Sequence, residues 1–173
     1  MFAVIATGPS LTPEQIERVR HLRCIVISDA FKLAPWAEVL VSADRKWWRY
    51  HMPEFAGRRF SSGAAEGTER LPQFVPSGTN SGALAIKVAR HLGAKRIVLL
   101  GFDGHGAHFF GPHPDEKRNG FTLKDTSEAR RKVHMEQHRA EAEECRLSGV
   151  EIFNCSPGTV IEHYPTARLD ECL

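Results

Sequence analysis

No stretch of the chain is apolar for the eighteen or so residues that a membrane helix needs. No basic segment precedes the opening Met-Phe-Ala-Val-Ile-Ala, whose apolar character ends at Thr7. That opening reads as a first strand rather than a signal peptide, and a soluble protein is expected. Neither sign of charge prevails: Lys+Arg 23 against Asp+Glu 21 leaves a formal charge of +2. Such balance points to neither nucleic acid nor an anionic membrane as the partner. Cysteine is sparse, and Cys24, Cys145, Cys155 and Cys172 have neither zinc-site spacing nor the density of a secreted disulfide scaffold. This usage suits a reducing cytoplasm. Two phosphate-binding signatures are also missing. No glycine-rich run ends in Gly-Lys-Ser/Thr, and no Gly-x-Gly-x-x-Gly occurs, which argues against a P-loop kinase or a dinucleotide dehydrogenase of standard type.

What is present is an alternation of strand-length apolar runs with helical periodicity. In a chain of 173 residues this fits one α/β domain that buries roughly two-thirds of its unfolded surface. The expected architecture is Rossmann-like, with a mostly parallel sheet and helices on both faces. Strands are expected at 2–6, 23–28, 38–43, 96–101 and 150–154, with at most a short one at 58–61. Thr12 and Pro13 start a first helix that ends near His21; Gln15 is a capping partner, read as one residue short of a full capping box at Ile16. A short helix is expected over 46–51 and an amphipathic one over 80–92 that stops at Gly93. The pattern weakens from Gly57 to Thr79, which reads as a mobile flap. The long charged helix over 126–147 carries a thin apolar stripe of Ala129, Val133, Ala140 and Leu147 and is expected on the surface. His134 and His138 are read as decorating its solvated face.

Open α/β sheets bind ligands at the carboxyl edge of their strands, beside a switch in strand order. Two segments there place small residues and free backbone N–H groups where phosphates are commonly held: Gly8, Pro9 and Ser10 after the first strand, and Asn80, Ser81 and Gly82 at a helix start. Asp29 and Asp44 follow the second and third strands, and Asp103 follows the strand expected at 96–101. Asp44 and Asp103 either hold a magnesium-type cation or a ribose, or cap the turns that follow. The Gly- and His-rich run after Asp103 brings His105, His108 and His113 close together in a spacing that matches no standard zinc site. His108 or His113 is the expected proton-transfer group, on a loop from Gly104 to Gly120 that closes over the ligand. Trp47 and Trp48 are read as core or groove walls.

Several segments together resemble a known superfamily: Ala-Thr-Gly-Pro-Ser-Leu at the first strand, Ser-Asp-Ala after the second, and Ala-Asp-Arg-Lys-Trp-Trp after the third. Asn-Ser-Gly-Ala-Leu-Ala and Leu-Gly-Ala-Lys-Arg-Ile-Val-Leu-Leu-Gly-Phe-Asp complete the set. The chain is similar to the MptE-like 6-hydroxymethylpterin diphosphokinase family, and more distantly to bacterial sialyltransferases of the lipooligosaccharide type. Small proteins of this appearance occur in bacteriophages and prophages. The resemblance spans 4 to about 159. It implies a Rossmann-like nucleotide-dependent transferase that moves either a sugar from a nucleotide sugar or a diphosphate from a nucleoside triphosphate. It places Gly8, Pro9 and Ser10 beside donor phosphates, Asn80, Ser81 and Gly82 facing them, and Asp103 in the same pocket. A non-catalytic nucleotide-binding or virion-associated protein is the alternative of another class.

Overall fold

The computed structural model describes residues 1–51, 53–76, 78–105 and 128–173. Phe2–Ile5 (β1), Arg23–Ile27 (β2), Val39–Ser42 (β3), Arg58–Ser61 (β4), Arg96–Leu100 (β5) and Glu151–Asn154 (β6) form one sheet in the order β4-β3-β2-β1-β5-β6. Every pairing is parallel. β1, β2, β3 and β5 are buried along nearly their whole length, as a parallel sheet covered on both faces requires. Here the short segment 58–61 is a full edge strand, and the weak stretch after it is anchored. Arg58 grips Glu69 with two hydrogen bonds at 2.9 and 2.6 Å, and Ser61 N donates to Glu69 O at 3.0 Å.

Side chains alternate across the sheet with the period of two that a strand imposes. Phe2 and Val4 point to one face, where Ser81–His91 (α3) and Glu128–Leu147 (α4) cover them. Ala3 and Ile5 point to the other, against Pro13–Arg18 (α1), Arg45–His51 (α2) and Leu169–Cys172 (α5). α1 starts on a complete capping box, because with Thr12 as the cap the third helical position is Gln15 itself, not Ile16. The helix stops at Arg18, short of the expected His21.

α4 departs from the sequence expectation in which face it buries. Ala129, Val133, Ala140 and Leu147 are exposed; the buried positions are His138, Glu141 and Cys145, with His134, Met135 and Ala142 partly covered. These still follow helical spacing. The stripe escaped a hydrophobicity pattern because much of it is polar, and its polar members are partnered. Glu141 bonds Lys87 at 2.7 Å and Arg90 at 3.1 Å, and Gln137 accepts from the Asn80 backbone N–H at 2.8 Å. His138 is therefore interior, not on a solvated face.

Candidate functional site

The chain runs outward from β1 through β2 and β3 to β4, then returns through α3 to place β5 on the other side of β1. Strand order thus switches between β1 and β5, which opens a crevice at their carboxyl ends. A cleft of about 380 Å³ lies there. Its walls are the exit of β1 (Ala6, Thr7, Gly8), the exit of β5 (Gly101 to His105), the start of α3 (Asn80, Ser81, Gly82) and the N-terminal half of α4 (Arg131, His134, Met135, His138).

The exit of β1 approaches β5 so closely that only glycine fits at position 8. A Cβ there would lie 1.9 Å from Asp103 Oδ2 and 2.4 Å from the Gly101 carbonyl, while Gly8 N donates to that carbonyl at 3.0 Å. Asp103 is buried and receives the Ser10 backbone N–H at 3.2 Å and the Ser10 hydroxyl at 3.0 Å. The β5 exit is braced from behind. Ser156 Oγ accepts the Phe102 N–H at 2.7 Å, Asn154 Nδ2 donates to the Phe102 carbonyl at 3.0 Å, and Thr159 Oγ1 donates to the same carbonyl at 2.7 Å. A satisfied buried network of this kind holds a loop in one conformation. His105 extends it by donating Nε2–H to the Gly158 carbonyl at 2.9 Å.

On the opposite wall, Asn80 caps α3 by accepting the Ala83 N–H at 2.8 Å. Ser81 Oγ accepts from Ala43 N at 2.9 Å, which ties the helix start to the end of β3. The backbone N–H groups of Ser81 and Gly82 have no partner among the described residues. They sit at the positive end of an 11-residue helix that opens on the cleft. Arg131 and His134 stand across from them on α4. Gly82 is close-packed: a Cβ would meet Phe102 at 3.0 Å and His138 Cε1 at 3.1 Å. His138 receives or gives a hydrogen bond at Nδ1, 2.9 Å from the Tyr164 hydroxyl. Burial, reinforced by the neighbouring His134 and His163, pushes its pKa down to about 4.

Of the residues expected at the site, Gly8, Asn80, Ser81, Gly82 and Asp103 line this one cleft. Pro9 and Ser10 are adjacent in sequence, but Pro9 is exposed and Ser10 turns its hydroxyl to Asp103. Asp29 lies elsewhere, buried beneath Lys32 and Trp47, whose Nε1–H it accepts at 2.9 Å. Burial pushes its carboxyl up, but the hydrogen bonds from Lys32 and Trp47 and the charges of His51 and Lys32 outweigh this and hold it low. Asp44 is exposed at the start of α2, accepting the Lys46 N–H at 2.7 Å. Trp47 and Trp48 are buried in the core. His108 and His113, and the loop proposed to carry them, lie outside the described residues apart from Gly104 and His105.

Sequence reasoning missed Arg131 and His138 as cleft residues. The signal was available in the spacing of Arg131, His134, Met135 and His138, which share one side of a helix. Comparison with known proteins adds no assignment: no family model, no curated protein and no solved structure matches the chain.

Proposed function

We propose that the cleft at the β1–β5 switch binds the phosphate groups of a nucleotide, and that the protein is a nucleotide-dependent transferase. One observation carries the reading. The unpartnered first-turn N–H groups of Ser81 and Gly82 share a 380 Å³ cleft with Arg131 and His134, so that dipole, donors and positive charge converge on one volume. Gly8 lets the opposite wall approach. The chemistry that fits is the departure of a nucleotide or the transfer of a diphosphate, each of which builds negative charge on phosphate oxygens that fixed donors stabilise. The resemblance of the sequence segments to the pterin diphosphokinase and sialyltransferase families supports the same class.

Magnesium often takes one or two protein carboxylates and completes its shell with phosphates and water. Asp103 would hold it here, as the one carboxylate among the described cleft residues, although both its oxygens already accept from Ser10. A metal stabilises the charge of the transferred phosphates when bound. Chelation tests which transfer operates: activity lost with a chelator and restored by magnesium supports diphosphate transfer, whereas activity that persists supports glycosyl transfer.

The binding experiment is a thermal-shift panel of nucleoside mono-, di- and triphosphates and nucleotide sugars. Selective stabilisation by one nucleotide is expected, and Arg131→Ala should weaken it roughly tenfold, the worth of one charge-assisted hydrogen bond. A panel without any binder, or equal affinity in Arg131→Ala, defeats the reading. The second reading, a nucleotide-binding protein without turnover, draws support from His138, the most enclosed imidazole of the cleft, which burial makes a weak base ill suited to taking a proton from an acceptor. Binding without conversion of any donor would favour it.

A further inference from the structure

We infer that His138 serves the cleft as a neutral hydrogen-bond donor, offering Nε2–H to an anionic oxygen of the ligand while Tyr164 fixes its tautomer. The inference rests on the phosphate reading of the cleft and assigns that site a further binding residue. Tyr164 is 2% exposed, and its hydroxyl has one partner among the described residues, His138 Nδ1 at 2.9 Å. Two proton arrangements satisfy that distance. If Nδ1 carried the proton and donated, the spare donor would be the O–H of Tyr164, deep in the core. If tyrosine donates, its oxygen keeps only acceptor lone pairs and the spare donor is Nε2–H, on a ring that lines the cleft. An orphaned buried donor is the costlier outcome. Tyr164 therefore donates, Nδ1 accepts, and the single proton of the neutral ring lies on Nε2.

That proton faces the cleft. Among the described residues Arg90 Nε is the one fully buried side-chain nitrogen or oxygen without a partner, so His138 Nε2, also without a described partner, retains solvent access. The ring is 6% exposed and lines the cleft. Its Cε1 packs against the first turn of α3, 3.1 Å from the position of a Cβ on Gly82, which sets the imidazole edge beside the Ser81 and Gly82 amides. The helix start and the imidazole are independent elements directed into one volume. The charged and titratable groups around the ring are Arg131, His134 and Glu141 on α4, Asp103 and His105 on the β5 exit, and His163 beside Tyr164. Burial keeps the ring neutral near pH 7. A ring so disposed is a weak base and a good neutral donor, as suits a group that holds an oxyanion rather than one that removes a proton.

Long-range imidazole ¹H–¹⁵N correlation spectra of histidine-labelled full-length protein, with and without inorganic pyrophosphate, test the assignment. Free protein should show His138 as the neutral Nε2–H tautomer at pH 7, and pyrophosphate should shift the Nε2 resonance. Tyr164→Phe, which keeps the ring shape, should release the tautomer preference, and His138→Gln should bind pyrophosphate roughly tenfold more weakly. A protonated or Nδ1–H imidazole in the free protein overturns the inference, as does unchanged pyrophosphate affinity in His138→Gln. The latter result, with pyrophosphate still bound, leaves the phosphate reading standing. If neither pyrophosphate nor any nucleotide binds the wild type, the phosphate reading falls and takes the donor role with it.

Discussion

Single atoms decide most at Gly8 and His138. A methyl group on Gly8 would collide with Asp103 Oδ2 at 1.9 Å and with the Gly101 carbonyl at 2.4 Å, and the second contact is backbone that cannot swing aside. Gly8→Ala should therefore force the β1 exit away from β5 and cost about 1–3 kcal/mol, read as a lower denaturant midpoint with an unchanged slope. A midpoint equal to wild type would show that the loop yields freely. His138 makes an independent demand on pH. Its pKa falls from 6.5 in the unfolded chain to about 4 in the fold, so the neutral ring is favoured on folding. The associated stability is complete above pH 6.5 and drains away as pH falls toward 4, by about 3 kcal/mol in all. Denaturant unfolding from pH 7.5 to 4.5 should show this loss in wild type and less of it in His138→Gln; parallel curves would remove His138 as the cause. Neither position was legible from composition. Glycine at 8 read as a turn near phosphate, and only the structure shows the carboxylate occupying the space of its missing side chain.

At the scale of elements, strands were the easiest to read and α4 the hardest, for one physical reason. Buried parallel strands are apolar along their length, so 96–100 and 23–27 declare themselves, whereas a helix may bury polar groups wherever partners await them. α4 does so against α3: Glu141 joins Lys87 and Arg90, Arg90 also reaches Glu144 at 2.8 Å, and Gln137 meets Asn80. The partners lie some fifty residues away, and spacing within α4 cannot reveal them. This clasp also holds the cleft, because Asn80 caps α3 at one wall while Arg131 and His134 occupy α4 at the other. Glu141→Ala leaves Lys87 without its carboxylate and Arg90 with Glu144 alone, beside a largely buried surface. Because Lys87 and Arg90 keep some access to water, the expected cost is about 2 kcal/mol, below that of breaking a wholly buried pair. Calorimetry checks it, and under the proposed phosphate reading of the cleft nucleotide affinity should fall in the same variant as the two walls loosen. A stability unchanged from wild type would mean that apolar packing alone positions α4.

At the scale of the molecule, the sequence indicated a parallel α/β sheet with its site at the carboxyl edge, but not that four scattered cysteines would all be interior. Cys24 belongs to β2 and Cys145 to α4, on opposite faces of the sheet, while Cys155 and Cys172 bring their sulfurs within 3.8 Å where the exit of β6 meets α5. The thiols are free, and burial pushes Cys24 and Cys155 up to about 12 and Cys145 to about 11, far from the thiolate that reacts. They thus report on both layers at once. If the sheet and its two helical layers unfold as one cooperative unit, native protein should resist a maleimide at all four positions, and labelling should rise together with denaturant across the global transition. The position most exposed to an alternative is Cys172, which lies next to the last residue of the sequence on a four-residue helix. Its neighbours argue against independent fraying: Leu169 is buried beside it, Arg18 pairs with Asp170, and Asn154 N donates to the Pro165 carbonyl at 2.8 Å just upstream. Peptide mapping of the labelled cysteines distinguishes the cases. Modification of Cys172 well below the transition, with Cys24 and Cys145 still protected, would show that α5 opens alone and that cooperativity stops at β6.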